Sequence, residues 1–168
     1  MDSEENFQSI THGTVHLLEI IRLVKDFLEE DPRAEYTLVI GTDSHEKITA
    51  DGKRIINLIT AIVVHRRGFG GKYFWQRNLN TNVHTLRDKI YAETLASLRL
   101  AEQFVPLLKK TLNGNSPHYW LEIHVDVGEH GDTREMIREV VGMVTGNGFV
   151  AKTKPFSYGA SYIADKHT

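Results

Sequence analysis

Residues 36–43, Tyr36-Thr37-Leu38-Val39-Ile40-Gly41-Thr42-Asp43, form an apolar, β-prone run that ends on an acid. A strand with one wet face would carry a polar residue at every second position. This run does not, so it suits a strand covered on both faces. Moving outward, Asp51-Gly52 is a hairpin dipeptide, and Ile55 through Val64 form a second long strand. The stretch Arg67-Gly68-Phe69-Gly70-Gly71-Lys72 makes the next turn, and Tyr73-Phe74-Trp75-Gln76 begins a third strand. Positions 36–79 therefore read as a three-stranded antiparallel meander.

Upstream, residues 14–30 place Leu17, Ile20, Ile21, Val24, Phe27 and Leu28 at helical spacing, and Asp31-Pro32 ends the helix. Downstream the period changes. From about Val83 to Leu108 apolar residues recur at 3.6 spacing, with an end at Pro106 or at Asn113-Gly114. His118 to Val127 alternates Leu121, Ile123, Val125 and Val127 with Glu122, His124 and Asp126, which predicts a fourth strand. A helix over Thr133–Thr145, a fifth strand over Phe149–Lys154 and a short helix from Ser157 to about Lys166 complete the chain. The expected fold is α/β in one domain spanning 1–168: a mixed five-stranded sheet, three antiparallel strands then parallel ones, flanked by helices and preceded by an extra N-terminal helix.

Composition narrows the chemistry. With 40% hydrophobic and 25% charged residues in 168, this is an ordinary globular composition. The absence of cysteine removes disulfides, zinc knuckles, iron–sulfur sites and thiol nucleophiles, so any metal must sit on oxygen or imidazole. No stretch approaches the ~20 apolar residues of a membrane span, and the opening Met1-Asp2-Ser3-Glu4-Glu5 is acidic where a secretory signal is basic, so a cytoplasmic location with no membrane partner is expected. Net charge is only −2, but it is unevenly spread. Between Gly52 and Arg87 there is no acid, while Lys53, Arg54, Arg66, Arg67, Lys72, Arg77 and Arg87 are all basic. Arg66, Arg67, Lys72 and Arg77, interleaved with Phe69, Tyr73, Phe74 and Trp75, suggest a face that meets phosphates and stacks on bases; a solvated hairpin with core aromatics is the alternative.

Four carboxylates stand where charge is awkward. Asp43 ends the apolar strand, where it needs a cation or the backbone N–H groups of a turn. Glu93 falls inside the apolar stripe defined by Leu86, Ile90, Ser97, Ala101 and Phe104, so an inward acid needs a partner: a cation, or an arginine such as Arg54 or Arg87. Asp126 ends the fourth strand, where parallel sheets usually bind ligands, and His124 shares its face. Asp165 lies on the last predicted helix.

The segments IGTDSH (40–45), IHVDVGEHGDTREMIREVVGMVTGNG (123–148) and KPFSYGASYIADKHT (154–168) resemble the YkuK-type ribonuclease H-like family of bacterial proteins, over nearly the whole chain from about His12. The family's own function is unknown. Its resemblance implies a ribonuclease H-like fold, with Asp43, Glu93, Asp126 and Asp165 at the positions of that fold's metal-binding acids. Converging, they would make an all-oxygen cage suited to Mg²⁺ or Mn²⁺. The reading implied is a nuclease cleaving phosphodiesters of RNA or DNA with two metal ions, Asp43 bridging both, Glu93 and Asp126 each holding one and Asp165 completing the second. His124 or His130 would orient water or shuttle a proton, unless His124 is a satisfied strand histidine. The alternative is a catalytically silent nucleic-acid-binding module on the same fold. Partners expected are nucleic acid and, as a homodimer, a second copy of the chain.

Other motifs fail on spacing. His12 and His16 lack the glutamate of a zinc helix, the acids after Asp126 do not match a calcium loop, and no phosphate-binding glycine motif or serine elbow is present.

Overall fold

The computed structural model describes residues 5–80, 83–112 and 117–158. In chain order the elements are β1 (Asn6–Ser9), β2 (Gly13–His16), α1 (Leu17–Glu30), β3 (Tyr36–Ile48), β4 (Arg54–Arg66), β5 (Gly70–Asn80), α2 (Leu86–Leu112), β6 (Tyr119–His124), α3 (Ile137–Gly146) and β7 (Val150–Lys152), with a 3-10 turn at Arg134–Met136. The strands form one mixed sheet of seven, in the order β2-β1-β5-β4-β3-β6-β7. The expected antiparallel meander is there as β3, β4 and β5, and β6 and β7 join in parallel.

The expected strand count was five, and the sheet has seven. The two unforeseen strands make an N-terminal hairpin in which Phe7 pairs with Val15, both buried. Thr14-Val15-His16 had read as the first turn of the helix. Pairing with β1 claims them instead, and the helix begins at Leu17, with the Glu19 carboxylate accepting the His16 backbone N–H at 2.8 Å. Of the two ends expected for α2, Pro106 and Asn113-Gly114, the second holds. Pro106 lies inside the helix, which runs on to Leu112 because Val105, Leu108 and Leu112 all bury against the core. The terminal helix expected over 157–166 falls, from residue 159 onward, outside the described residues.

Directly paired residues share a face of the sheet. One face carries Leu38, Ile40, Thr42 and Ser44 of β3 beside Val64, Ile62, Thr60 and Leu58 of β4. α1 and α2 pack there, through Ile20, Val24, Phe27 and Leu28 of α1 and Ile90, Leu98, Phe104 and Leu108 of α2, and they make one continuous core. A smaller cluster of Ile56, Leu58 and Val83 packs on Ala92 and Ala96. The opposite face carries Asp43, His124, Trp75 and Arg77. α3 is tied to the start of α2 by an Arg87–Glu139 ion pair of 2.6 Å. No described helix is long and apolar enough to cross a membrane.

The β3–β4 turn needs Gly52, whose φ of +82° is left-handed. Tyr36 anchors α1 to the sheet: its buried hydroxyl donates to the Phe27 and Asp31 carbonyls at 3.1 and 3.0 Å. Tyr36→Phe keeps the ring but removes the hydroxyl from both carbonyls, of which that of Asp31 still accepts the Ala34 N–H at 3.1 Å, so thermal or urea unfolding should show a loss of about 1 kcal/mol.

Candidate functional site

The sheet sets up the site where β3 and β6 part company. Their last parallel pair is Gly41 with His124, and Asp43 and Asp126 each lie two residues beyond it. Past that point the chain after β6 turns to the other side: the Val125 N–H donates to the Lys152 carbonyl at 2.9 Å, and the Lys154 N–H to the Val127 carbonyl at 2.8 Å. Asp126 therefore lies past the end of β6, while Asp43, expected to end its strand, sits inside β3, which has lost β6 on one side but stays paired with β4 as far as Ile48.

α2 brings the third. The Ser44 hydroxyl donates to Glu93 Oε1 at 2.6 Å, and one helical turn further on Ser97 bonds Thr42 at 2.8 Å, which in turn meets Thr60 at 3.0 Å. The periods match: four helix residues rise ~6 Å and two strand residues ~6.6 Å, so positions 93 and 97 step in register with 44 and 42. These two polar rungs fix where α2 sits along β3.

Glu93 is 2% exposed, and its second oxygen, Oε2, is buried with no hydrogen-bond partner. Neither arginine expected as its partner is there. Arg54 pairs with Glu46 and Arg87 with Glu139. Burial, opposed by the Ser44 hydroxyl and reinforced by the negative charge of Asp43 and Asp126, pushes Glu93 up to about 8, with Lys89 one turn away pulling the other way. Asp43, 9% exposed, is also raised, mainly by burial. The Ser44 N–H it accepts at 2.8 Å lowers it, and Asp126 raises it. Asp126 is half-buried and forms an ion pair with Lys154, Nζ to Oδ1 2.8 Å.

The four expected acids are thus brought together in part. Asp43, Glu93 and Asp126 feel one another's charge, and Asp165 lies outside the described residues. Among the described residues no three His, Asp or Glu side chains stand close enough to hold a metal ion between them. The donors' chemistry nevertheless suits a hard divalent cation: they are carboxyl oxygens, and one of them, Glu93 Oε2, is buried without a donor among the described residues, which such a cation makes tolerable.

His124 is almost fully buried, and both its ring nitrogens are engaged. Nε2 meets Glu122 Oε2 at 3.0 Å and Nδ1 accepts the Tyr158 backbone N–H at 3.1 Å, which fixes the proton on Nε2. Burial lowers its pKa, and the Tyr158 ring packs on it edge-on at 4.9 Å. This geometry holds the chain at Tyr158 and leaves no ring nitrogen turned to a reacting proton. His130 is exposed, in the loop after β6.

The four basic residues expected to meet nucleic acid do not lie together. Arg66 and Arg67 sit at the β4–β5 turn, in register with Tyr36 at the far end of β3 from Asp43, seven residues or ~23 Å away. Arg66 lies over the Phe69 ring at 3.4 Å and pairs with Glu30; Arg67 pairs with Glu35 at 2.8 Å; Lys72 approaches the Phe27 ring at 5.5 Å. Arg77 differs. The row Asp43–Ile59–Arg77 puts it on the same face as Asp43, two strands or ~10 Å across, with the Tyr73 and Trp75 rings earlier on β5, their centroids 5.6 Å apart and their planes tilted by 37°. Of the aromatics, Phe74 is core.

Three contributors were not singled out in the sequence. Ser44 and Ser97 were legible in principle, since alternation turns Ser44 toward α2 and Ser97 lies on the same helical stripe as Glu93. Lys154 carried no local signal, because its pairing with Asp126 depends on how two separate loops meet.

This arrangement, carboxylates past the split of two parallel strands and on the helix that crosses over them, defines an α/β protein of the ribonuclease H-like kind. The chain belongs to the ribonuclease H-like family, whose description matches residues 19–168. It is similar to the uncharacterized protein YkuK of Bacillus subtilis (strain 168), 31% identical over 173 residues that cover 96% of each chain. No solved structure matches the chain significantly.

The raised carboxyls set a pH dependence in the metal-free protein. A group whose folded pKa is raised contributes stability that is present below the unfolded value and lost as pH rises through the folded one. In EDTA the melting temperature should therefore fall between pH 4.5 and about 8, and Glu93→Gln should flatten that slope. A wild-type melting temperature that rises over this range would contradict the burial of Glu93.

Proposed function

We propose that the protein is a divalent-cation-dependent nuclease that hydrolyses phosphodiester bonds of RNA or DNA. The observation that carries this reading is Glu93, a buried carboxyl with one oxygen unpartnered among the described residues, held by the Ser44 hydroxyl and within range of the charge of Asp43 and Asp126. Burying an acid without a counter-charge costs several kcal/mol, and a fold keeps such a group where binding repays it. Asp43, Glu93 and Asp126, with Asp165 as the fourth ligand, would hold Mg²⁺ or Mn²⁺. Bound there, such ions supply the positive charge that a phosphodiester needs on its attacking and leaving oxygens during hydrolysis.

The chain's own residues supply the rest. Asp43 and Asp126 present negative oxygens from two neighbouring strands, and Glu93 is held to one orientation by the Ser44 hydroxyl. Arg77, across the same face as Asp43, is placed to meet a backbone phosphate of a bound strand, and Tyr73 and Trp75 supply ring faces for stacking. Arg66, Arg67 and Lys72, at the other end, would touch only a longer nucleic acid.

One observation favours the second reading, a nucleic-acid-binding module without turnover: the ammonium of Lys154 already neutralises Asp126. Activity separates the two. Purified protein with Mn²⁺ should cleave labelled RNA, DNA or hybrid, and both Asp43→Asn and Glu93→Gln should reduce the rate at least ~100-fold while the proteins still fold. Salt-sensitive binding of the same substrates with no cleavage under Mg²⁺ or Mn²⁺ would establish the silent module. Arg77→Ala should weaken nucleic-acid binding and lower its salt dependence by about one phosphate contact.

A further inference from the structure

Lys154 occupies a place where its charge has two uses. Its Nζ pairs with Asp126 Oδ1 at 2.8 Å, and its stem lies along Gly128, where a Cβ would come within 3.0 Å of the Lys154 Cβ. The glycine thus leaves room for the lysine to lie close against the loop that carries Asp126. The side chain is still half-exposed, and it borders a cavity of about 550 Å³ lined by Glu129, His130, Ile137, Thr153, Pro155 and Phe156, with Gly128 at its edge; Glu129 is exposed there and would oppose an anion, so the ammonium of Lys154 is the charge that must hold one. That volume suits a mononucleotide-sized group. Phe156, 70% exposed, offers a ring face, but the nearest ammonium is spent on Asp126.

We infer that Lys154 is a switched anion-binding residue: it neutralises Asp126 while the protein is metal-free, and when a divalent cation takes Asp126 its ammonium turns to the adjoining cavity and holds a substrate phosphate there. The inference rests on the proposed use of Asp126 as a cation ligand. Both positive groups seek the same carboxylate oxygen, and a doubly charged ion with direct oxygen contact outcompetes a half-exposed ammonium, whose pair is worth little in water. The released lysine is tethered beside the cavity and needs only side-chain rotation to reach it. Binding of cation and of anionic ligand is then coupled and reciprocal.

The test uses the full chain, its Lys154→Gln variant and, as a charge-keeping control, Lys154→Arg. Calorimetric titration with Mn²⁺ should show Lys154→Gln binding about fivefold more tightly than wild type, the scale set by losing one half-exposed ion pair, and Lys154→Arg binding like wild type. Thymidine 5′-monophosphate, which has no phosphodiester to cleave, serves as the anionic probe. With saturating Mg²⁺, Lys154→Gln should bind it about tenfold more weakly than wild type, and in EDTA the two should bind it alike. In wild-type protein labelled with ¹⁵N-lysine, Mg²⁺ should shift the Lys154 side-chain resonance. Equal Mn²⁺ affinity of wild type and Lys154→Gln overturns the inference while leaving the nuclease reading intact. So does a loss of nucleotide affinity that is the same with and without Mg²⁺, or a Lys154 resonance that Mg²⁺ leaves in place. If neither protein binds Mn²⁺, the nuclease reading falls with it.

Discussion

A buried glutamate on the long helix is the constraint around which this molecule is arranged. Glu93 cannot be solvated at 2% exposure, and among the described residues its one donor is the hydroxyl of Ser44. That bond and the Thr42–Ser97 bond one turn away fix the axial position of α2 on β3, a surface that apolar contact alone would leave free to slide. Once α2 is set, its start is in place to receive α3 through Arg87 and Glu139, and its far half to close the core over Phe104 and Leu108. The same bond that sets the packing turns one carboxylate oxygen away from any donor, so architecture and chemistry meet in one side chain.

Around that point the charge is balanced unequally. Asp43 borrows a backbone N–H, Glu93 has one hydroxyl, and Asp126 has a full ammonium. Lys89 adds a more distant attraction to the first two. In the absence of a cation, the two deeper carboxyls hold their protons to higher pH, while the outermost is paid for by a lysine from the next loop. A cation bound as proposed would therefore be linked to proton release, with an affinity that rises with pH as the carboxyls ionise.

Much of the meander was legible because its signals are local. The unbroken apolar run of β3, the Asp51-Gly52 turn and the ten β-prone residues of β4 each fix an element without reference to the others. The inward position of Glu93 was legible too, since a helix's angular period places it among apolar neighbours whatever they pack against. The N-terminal hairpin was not, because two four-residue strands carry too little pattern to outweigh the helical spacing that follows them, and only the Phe7–Val15 pairing decides between the two. Of the two partners open to Glu93, a cation or an arginine, the structure excludes the two named arginines, and for a similar reason the sequence did not show this. An arginine is the default answer for a buried acid, but which cation can reach it depends on packing, and both candidates were already committed to Glu46 and Glu139. The basic tract shows the limit of counting charge along a chain: a hairpin separates residues that are near in sequence, and of Arg66, Arg67, Lys72 and Arg77 it is Arg77 that lies in the cross-strand row of Asp43.

The small hairpin at the start of the chain has one more role. β5 is the outer strand of the meander, and without β1 beside Trp75 its free N–H and C=O groups would form a bare, aromatic-rich margin. Such a margin invites the matching strand of another molecule. β1 and β2 move that margin outward onto a four-residue strand with Thr14 and His16 on it, too short to template much pairing. The hairpin thus covers that margin where Gln8 pairs with Trp75, in the middle of β5.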